Sequence, residues 1–209
     1  LARKNGPRGK GTVSVLTDKR LDLAIRWLSP HPCDFFPVHL FVGFARQQTC
    51  RKILEQASAL GVGRISFFQA EKGDPSYPKS RLWTTDEWTE RIDRGVEQAF
   101  ASFVPVCDTY PSLNDALSSL RSERYLRIAM DNYEASGPLT VPKETGDRSI
   151  ALALGPERGW SENERDLLRS ERFALRHLGK RVLRLETAVV ASLSVLLTGY
   201  WADAVPEGL

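Results

Sequence analysis

The sequence has little of what would mark a metal site, a disulfide scaffold or a membrane protein. Its 3 cysteines, Cys33, Cys50 and Cys107, stand far apart without a CxxC pair. An odd, dispersed set points to reduced thiols in a cytoplasmic setting and away from a disulfide framework. The 3 histidines, His31, His39 and His177, form no HxxxH or Cys/His cluster, so no metal is expected. Charge of one sign is also scarce: 29 Lys and Arg against 26 Asp and Glu leave a net charge of +3. That balance permits a polyanionic partner without demanding one. A membrane-spanning helix needs about 20 apolar residues, and the longest apolar stretch, Ala188 to Leu197, is shorter and interrupted by Ser192 and Ser194. It reads as a buried core helix, and no membrane partner is expected. No secretory signal opens the chain, and because it starts at Leu1 either trimming or a missing upstream segment is expected. There is no internal repeat and no low-complexity tract.

What is present describes a globular protein. The chain has 209 residues, 42% hydrophobic and 26% charged, enough for one main domain plus a fragment. The fragment comes first. Thr12–Leu16 and Leu21–Ile25 alternate apolar and polar residues around a turn at Thr17–Arg20, which predicts two strands. Two strands do not make a stable domain, so they are either the tail of a barrel or a hairpin resting on the main domain. Ser29–Asp34, with its prolines, reads as a linker. The pattern then changes to strand–helix alternation. Val38–Phe44 is a strand buried on both faces, and Cys50–Leu60 is a helix stopped by Gly61. Arg64–Phe68 is the next strand, and a polar loop runs from Lys72 to Leu82. Thr84-x-x-Glu87 predicts a capping box for a helix carrying Trp88, Ile92 and Val96. Val104–Cys107, Tyr125–Met130 and Ile150–Leu154 complete the strands, with a short helix starting at Ser112. Such alternation predicts an α/β fold, a mostly parallel sheet with helices on both faces.

The informative region is the C-terminal quarter. Strand Ile150–Leu154 runs into Gly155-Pro156-Glu157-Arg158-Gly159-Trp160, and Ser161-x-x-Glu164 then opens a helix with a capping box. A glycine-bearing loop between strand and capped helix lets a ligand approach main-chain groups, although a bland turn has the same form. It is neither a Walker loop, since no Gly-Lys-Ser/Thr comes after it, nor a dinucleotide fingerprint, since the glycine spacing differs. A second glycine-bearing loop, Leu178-Gly179-Lys180-Arg181-Val182-Leu183-Arg184, leads into Leu185-Glu186-Thr187-Ala188. In α/β sheets ligands bind beyond the carboxyl ends of strands, so both loops are expected to converge there. Arg181 and Arg184 beside Glu186 read either as a salt-bridged helix start or as cations for an RNA phosphate.

These paired segments resemble the signature of the RsmE family, a GPEGG or GPERGW loop followed by LGxRILRxETA, in that order and at that spacing. Weaker resemblance extends upstream through Ala59-Leu60-Gly61-Val62, Glu71 and Glu97-Gln98, and covers about Val38 to Tyr200. Departures are Ala101, Gln56 and Thr49, which stand where many members carry basic residues, and Arg158, which replaces the second glycine of GPEGG. The resemblance implies a SPOUT α/β knot with a C-terminal trefoil over residues 35–209, preceded by a remnant of a PUA-like β-barrel over residues 1–34. It implies an S-adenosyl-L-methionine-dependent methyltransferase acting on N3 of a uridine in 16S ribosomal RNA, working as a homodimer on the small-subunit RNA. The cofactor would be held by Leu154, Gly155, Pro156, Glu157, Gly159, Leu178, Gly179, Val182, Leu183 and Thr187.

For the chemistry, Glu157 and Glu186 are candidate bases for the N3 proton. Arg184 would stabilise charge developing on the uracil or hold a phosphate. Arg158, Arg181 and Arg184 are the candidate RNA contacts. Glu186 also reads as an acidic residue satisfying a helix N-terminus. The alternatives are a knotted methyltransferase with another target, ribose 2′-oxygen or transfer RNA, and a non-catalytic RNA- or ribosome-binding module.

Overall fold

The structure is a computed structural model that describes residues 1–28, 35–120, 124–141 and 149–202. Strands β1 (Gly9–Thr17) and β2 (Arg20–Trp27) form a separate antiparallel hairpin. The other strands are β3 (Phe36–Gly43), β4 (Val62–Phe68), β5 (Val106–Tyr110), β6 (Tyr125–Met130), β7 (Ser149–Leu154) and β8 (Ala174–Arg176). They build one 6-stranded sheet in the order β5-β4-β3-β7-β6-β8, every pairing parallel. The helices are α1 (Gln47–Ala59), α2 (Arg81–Thr84), α3 (Glu87–Gln98), α4 (Leu113–Leu117), α5 (Glu162–Ser170) and α6 (Leu185–Ala202). The expected linker, Ser29–Asp34, lies outside the described residues.

Alternation within the strands divides the core in two. Val38, Leu40 and Val42 of β3 and Ile150, Leu152 and Leu154 of β7 pack with α1, α3 and α6 through residues such as Ile53, Ile92 and Leu193. On the opposite face Phe41, Ala151 and Ala153 pack with α4 and α5 through Leu113, Leu117 and Leu168. The parallel sheet is therefore covered on both sides, which is why its strands read as nearly continuous apolar runs. Each fully buried leucine, isoleucine or phenylalanine contributes about 1.5–3 kcal/mol through burial. Helix α6 is the apolar stretch expected to be a core helix: Val189, Leu193, Leu196 and Leu197 are fully buried.

Three local expectations are corrected. Thr84 does not cap α3. It ends the short helix α2, and Asp86 takes the N-cap position of α3 without a side-chain cap bond. The neighbouring Thr85 supplies a hydroxyl instead, accepting from Glu87 N at 3.3 Å. The polar segment from Lys72 to Leu82 is not all loop, since Tyr77–Lys79 forms a 3-10 turn and α2 begins at Arg81. Strand β5 begins at Val106, two residues later than expected, just past Pro105, which has no N–H for the ladder. By contrast Ser161 and Glu164 form the expected capping box, with Glu164 N donating to Ser161 Oγ at 3.0 Å and Ser161 N to Glu164 Oε2 at 2.9 Å.

The strand order locates the site. From β3 the chain winds outward through β4 to β5, then crosses to the other side for β6, β7 and β8. The direction of winding reverses between β3 and β7, and ligands in open α/β sheets bind beyond the carboxyl ends of the strands near such a reversal.

Candidate cofactor and RNA site

Two loops meet at that reversal. Gly43 ends β3, and a Cβ placed on it would lie 2.8 Å from both Pro156 N and Pro156 Cδ. Only a residue without a side chain allows this approach. The Gly155–Trp160 loop is a tight turn in which Gly159 N donates to Pro156 O at 2.8 Å. Gly159 has φ +69, a left-handed conformation that a side chain would strain. Trp160 anchors the loop from below. It is 1% exposed, its Nε1 donates to Met130 O at 2.8 Å, and its ring stacks on Phe68 at 5.9 Å between centroids.

The second loop, after β8, comes to the same place. Leu178, Arg181, Val182 and Leu183 line a cavity together with Leu154, Gly155, Pro156, Glu157, Arg158 and Gly159. Its far wall is Met130–Tyr133, the turn after β6, and Leu185 and Ala188 of α6 close it. Three adjacent strands, β7, β6 and β8, thus supply the loops around one cavity. Of the residues named from sequence for the cofactor, Gly179 and Thr187 do not line it. Gly179 N instead donates to His177 Nδ1 at 3.0 Å and shapes the loop.

A second cleft adjoins the first and shares Glu157, Arg158, Leu183 and Leu185 with it. Its lining includes the cations Arg46, Lys52, Lys72, Arg158 and Arg184 and the anions Asp74, Glu157 and Glu186. The surplus of positive charge beside the first cavity suits a phosphate-bearing substrate. Arg46, Lys52 and Lys72 were not found from sequence. Arg46 is the N-cap residue of α1 and Lys52 lies in its second turn, and both look there like ordinary surface charge. The Met130–Tyr133 wall was legible in principle, because it comes directly after a strand that the sequence predicts.

The two candidate bases have defined partners. Glu157 Oε1 accepts from Arg46 N at 3.1 Å, so it ties the β7 loop to the start of α1. Glu186 is 9% exposed and pairs with Lys52 Nζ at 3.0 Å. Burial pushes its pKa up, but main-chain hydrogen bonding, Lys52 and Arg184 outweigh that and hold it below the usual carboxylate range. Such a group is a poor proton acceptor near neutral pH. Asp131, 5% exposed, is likewise committed, pairing with Arg165 and accepting from Tyr133 N at 2.7 Å. Burial raises the Cys50 and Cys107 thiols to about 12, which removes both as nucleophiles. Among the described residues no group of three or more His, Cys, Asp or Glu is placed to hold a metal ion. Glu71 lines neither cavity: its N–H donates to Glu164 Oε1 at 3.0 Å and docks its loop on α5.

Comparison with known proteins gives a consistent result. Residues 32–197 match the family described as RNA methyltransferase domain. Ribosomal RNA small subunit methyltransferase E of Treponema pallidum is 31% identical over 209 aligned positions, covering 97% of this chain and 78% of that protein. The protein of the same name from Bacillus subtilis is 24% identical, covering 88% of this chain and 74% of the relative. Among solved structures, ribosomal RNA small subunit methyltransferase E of Neisseria gonorrhoeae, bound to S-adenosyl methionine, superposes with a TM-score of 0.76 at 24% identity. That match covers 92% of this chain and 79% of the other.

Proposed function

The chain belongs to the RNA methyltransferase family that includes the ribosomal RNA small subunit methyltransferases E, and on that premise we propose that it methylates N3 of a uridine in 16S ribosomal RNA, with S-adenosyl-L-methionine as donor. The observation that carries this reading is the convergence of the two glycine-bearing loops on one cavity, with a cationic cleft opening from it.

The residues present fit the donor. The cavity offers main-chain groups at Gly155 and Gly159, where no side chain blocks approach, and an apolar wall of Leu178, Leu183 and Leu185. When bound there, S-adenosyl-L-methionine supplies an electrophilic methyl group. The protein's own part is mainly positioning. Trp160 and the Glu157–Arg46 bond fix the loop, and Arg158 and Arg184 face the cleft in which the uridine would lie, unstacked from its neighbours. Arg184 would balance negative charge on the uracil as the N3 proton passes to solvent water. Glu157 and Glu186 are read as positioning residues, since each already holds a structural partner.

The reading includes a C-terminal trefoil knot, supported by the pairing of residues 131–139 with the end of β8: Asp131 N donates to Arg176 O and Leu139 N to His177 O, each at 2.8 Å. It also includes a homodimer and a cytoplasmic location; no described helix is long and apolar enough to cross a membrane. The β1–β2 hairpin, whose Leu16 and Leu21 are exposed, is read as part of a PUA-like barrel.

The test is transfer of labelled methyl groups from S-adenosyl-L-methionine to small-subunit RNA, followed by nucleoside mass spectrometry. N3-methyluridine is expected. A ribose-methylated product would redirect the target, and no transfer together with no cofactor binding would remove the enzymatic reading.

A further inference from the structure

A third cavity, of about 410 Å³, lies beyond the carboxyl ends of β4 and β5, outside both the cofactor cavity and the cationic cleft. Four of its nine lining residues are aromatic, Phe44, Trp83, Trp88 and Tyr110, with Pro78 and Gln69 among the others. Trp83 packs on Phe44 at 5.2 Å and on Phe67 at 4.7 Å between centroids, so the core fixes its ring. Two residues of its wall also carry buried polar atoms without partners. Gln69 spends its Nε2 on Ala70 O at 3.0 Å and Gly73 O at 3.2 Å, which sets the amide and leaves its Oε1 a buried acceptor with no donor. Trp83 Nε1 is a buried donor with no acceptor. Unpaired buried groups of both kinds are costly.

Position supplies the second argument. The cavity and the cationic cleft flank the same two pieces of chain. Phe44 faces one and Arg46 the other in the loop after β3, while Pro78 faces one and Tyr77 the other in the 3-10 turn. A strand whose phosphates lay along Arg46, Lys52 and Lys72 would run beside the chain segments that wall the aromatic cavity. Aromatic walls beside a cationic track are how proteins hold unpaired bases.

We propose that this cavity receives an unstacked nucleobase of the substrate RNA, a neighbour of the nucleotide that is methylated. The proposal rests on the RNA-methylation reading and names a second point of substrate recognition within it.

Trp88 lies at the cavity's edge, half-buried on α3, and is the residue to change. Trp88→Ala is expected to raise KM for small-subunit RNA about tenfold, as loss of one stacked base does, with the Kd for S-adenosyl-L-methionine unchanged. Trp88→Phe keeps an aromatic face and is expected to restore KM to within about twofold. An unchanged KM in Trp88→Ala, or a parallel rise in cofactor Kd, overturns the proposal. Titration of the wild-type protein with the RNA, without cofactor, is expected to quench tryptophan emission, and Trp88→Ala to reduce that quench. Equal quenching by uridine monophosphate alone would assign the cavity to a free nucleotide and overturn the RNA placement. Absence of methyl transfer by the wild-type protein sinks the functional reading, while the quenching experiment still decides the cavity.

Discussion

Gly43 and Pro156, 113 positions apart (156 − 43), touch so closely that a Cβ on Gly43 would lie 2.8 Å from Pro156 N. This contact joins the end of β3 to the loop after β7 at the point where the winding of the sheet reverses. Gly43→Ala should push the Gly155–Trp160 loop outward. Overpacking of this kind costs about 1–3 kcal/mol. Calorimetric titration should find cofactor affinity at least about tenfold weaker, the equivalent of some 1.4 kcal/mol. A wild-type affinity would mean that the loop position does not set the cavity.

Glu157 separates a proton-transfer role from a positioning one. Its Oε1 already accepts from Arg46 N, and a glutamine retains that oxygen. We expect Glu157→Gln to keep methyl transfer within a few-fold of wild type and Glu157→Ala to lose far more, with cofactor affinity falling in parallel. Complete inactivity of Glu157→Gln with normal cofactor binding would restore the carboxylate as the base.

Stability should fall in acid through an ion-pair network between α1 and α3. The Glu87 carboxylate receives Arg51 and Arg91, while Arg91 also reaches Glu55 at 2.9 Å. The hydrogen bond from Arg51, reinforced by Arg91 and opposed by burial, lowers the Glu87 pKa from 4.5 to about 2. Because the folded value lies below the unfolded one, the stabilisation is complete above pH 4.5 and is lost as the pH drops toward 2. Melting temperatures from pH 7 to pH 2 should fall across that window. In Glu87→Gln the fall should be shallower and start from a lower plateau.

Phe100 comes just after α3 with φ +53 and 72% of its surface exposed. A left-handed conformation costs a residue with a side chain about 1 kcal/mol relative to glycine, and an exposed ring recovers little through burial. Phe100→Gly should stabilise the protein by about 0.5–1 kcal/mol, less than the full strain because glycine also loosens the unfolded chain. The midpoint of urea unfolding measures this, and a lower midpoint would show that the ring makes a contact worth more than the strain.

Much of the fold was legible wherever one local rule decided it. The apolar runs of β3 and β7, the stop at Gly61 and the Ser161–Glu164 box are set by side chains within a few residues of one another. Thr84 misled because Thr85 and Asp86 offered competing oxygens, and the choice among them depended on where α2 ended. Strand β8 has only three residues, too few for periodicity to register, and it exists because β6 offers an unpaired edge. At the site, the two glycine-bearing segments announced themselves. The cations near the start of α1 and the aromatic cavity under α2 did not, since each is assembled from segments that share no local pattern.

The sequence by itself determined the class of the sheet and the two loops that carry the family signature, because periodicity, capping and glycine placement act over short stretches of chain. Only the tertiary structure decided that these loops line one cavity, that Lys52 meets Glu186, and that Trp83 and Gln69 border another. The Lys52–Glu186 pair and the Gly43–Pro156 contact join residues more than a hundred positions apart, brought to the same edge of the sheet by the strand order β3-β7-β6-β8. Chain order is local information, whereas neighbourhood in a parallel sheet is settled by which buried faces pack together.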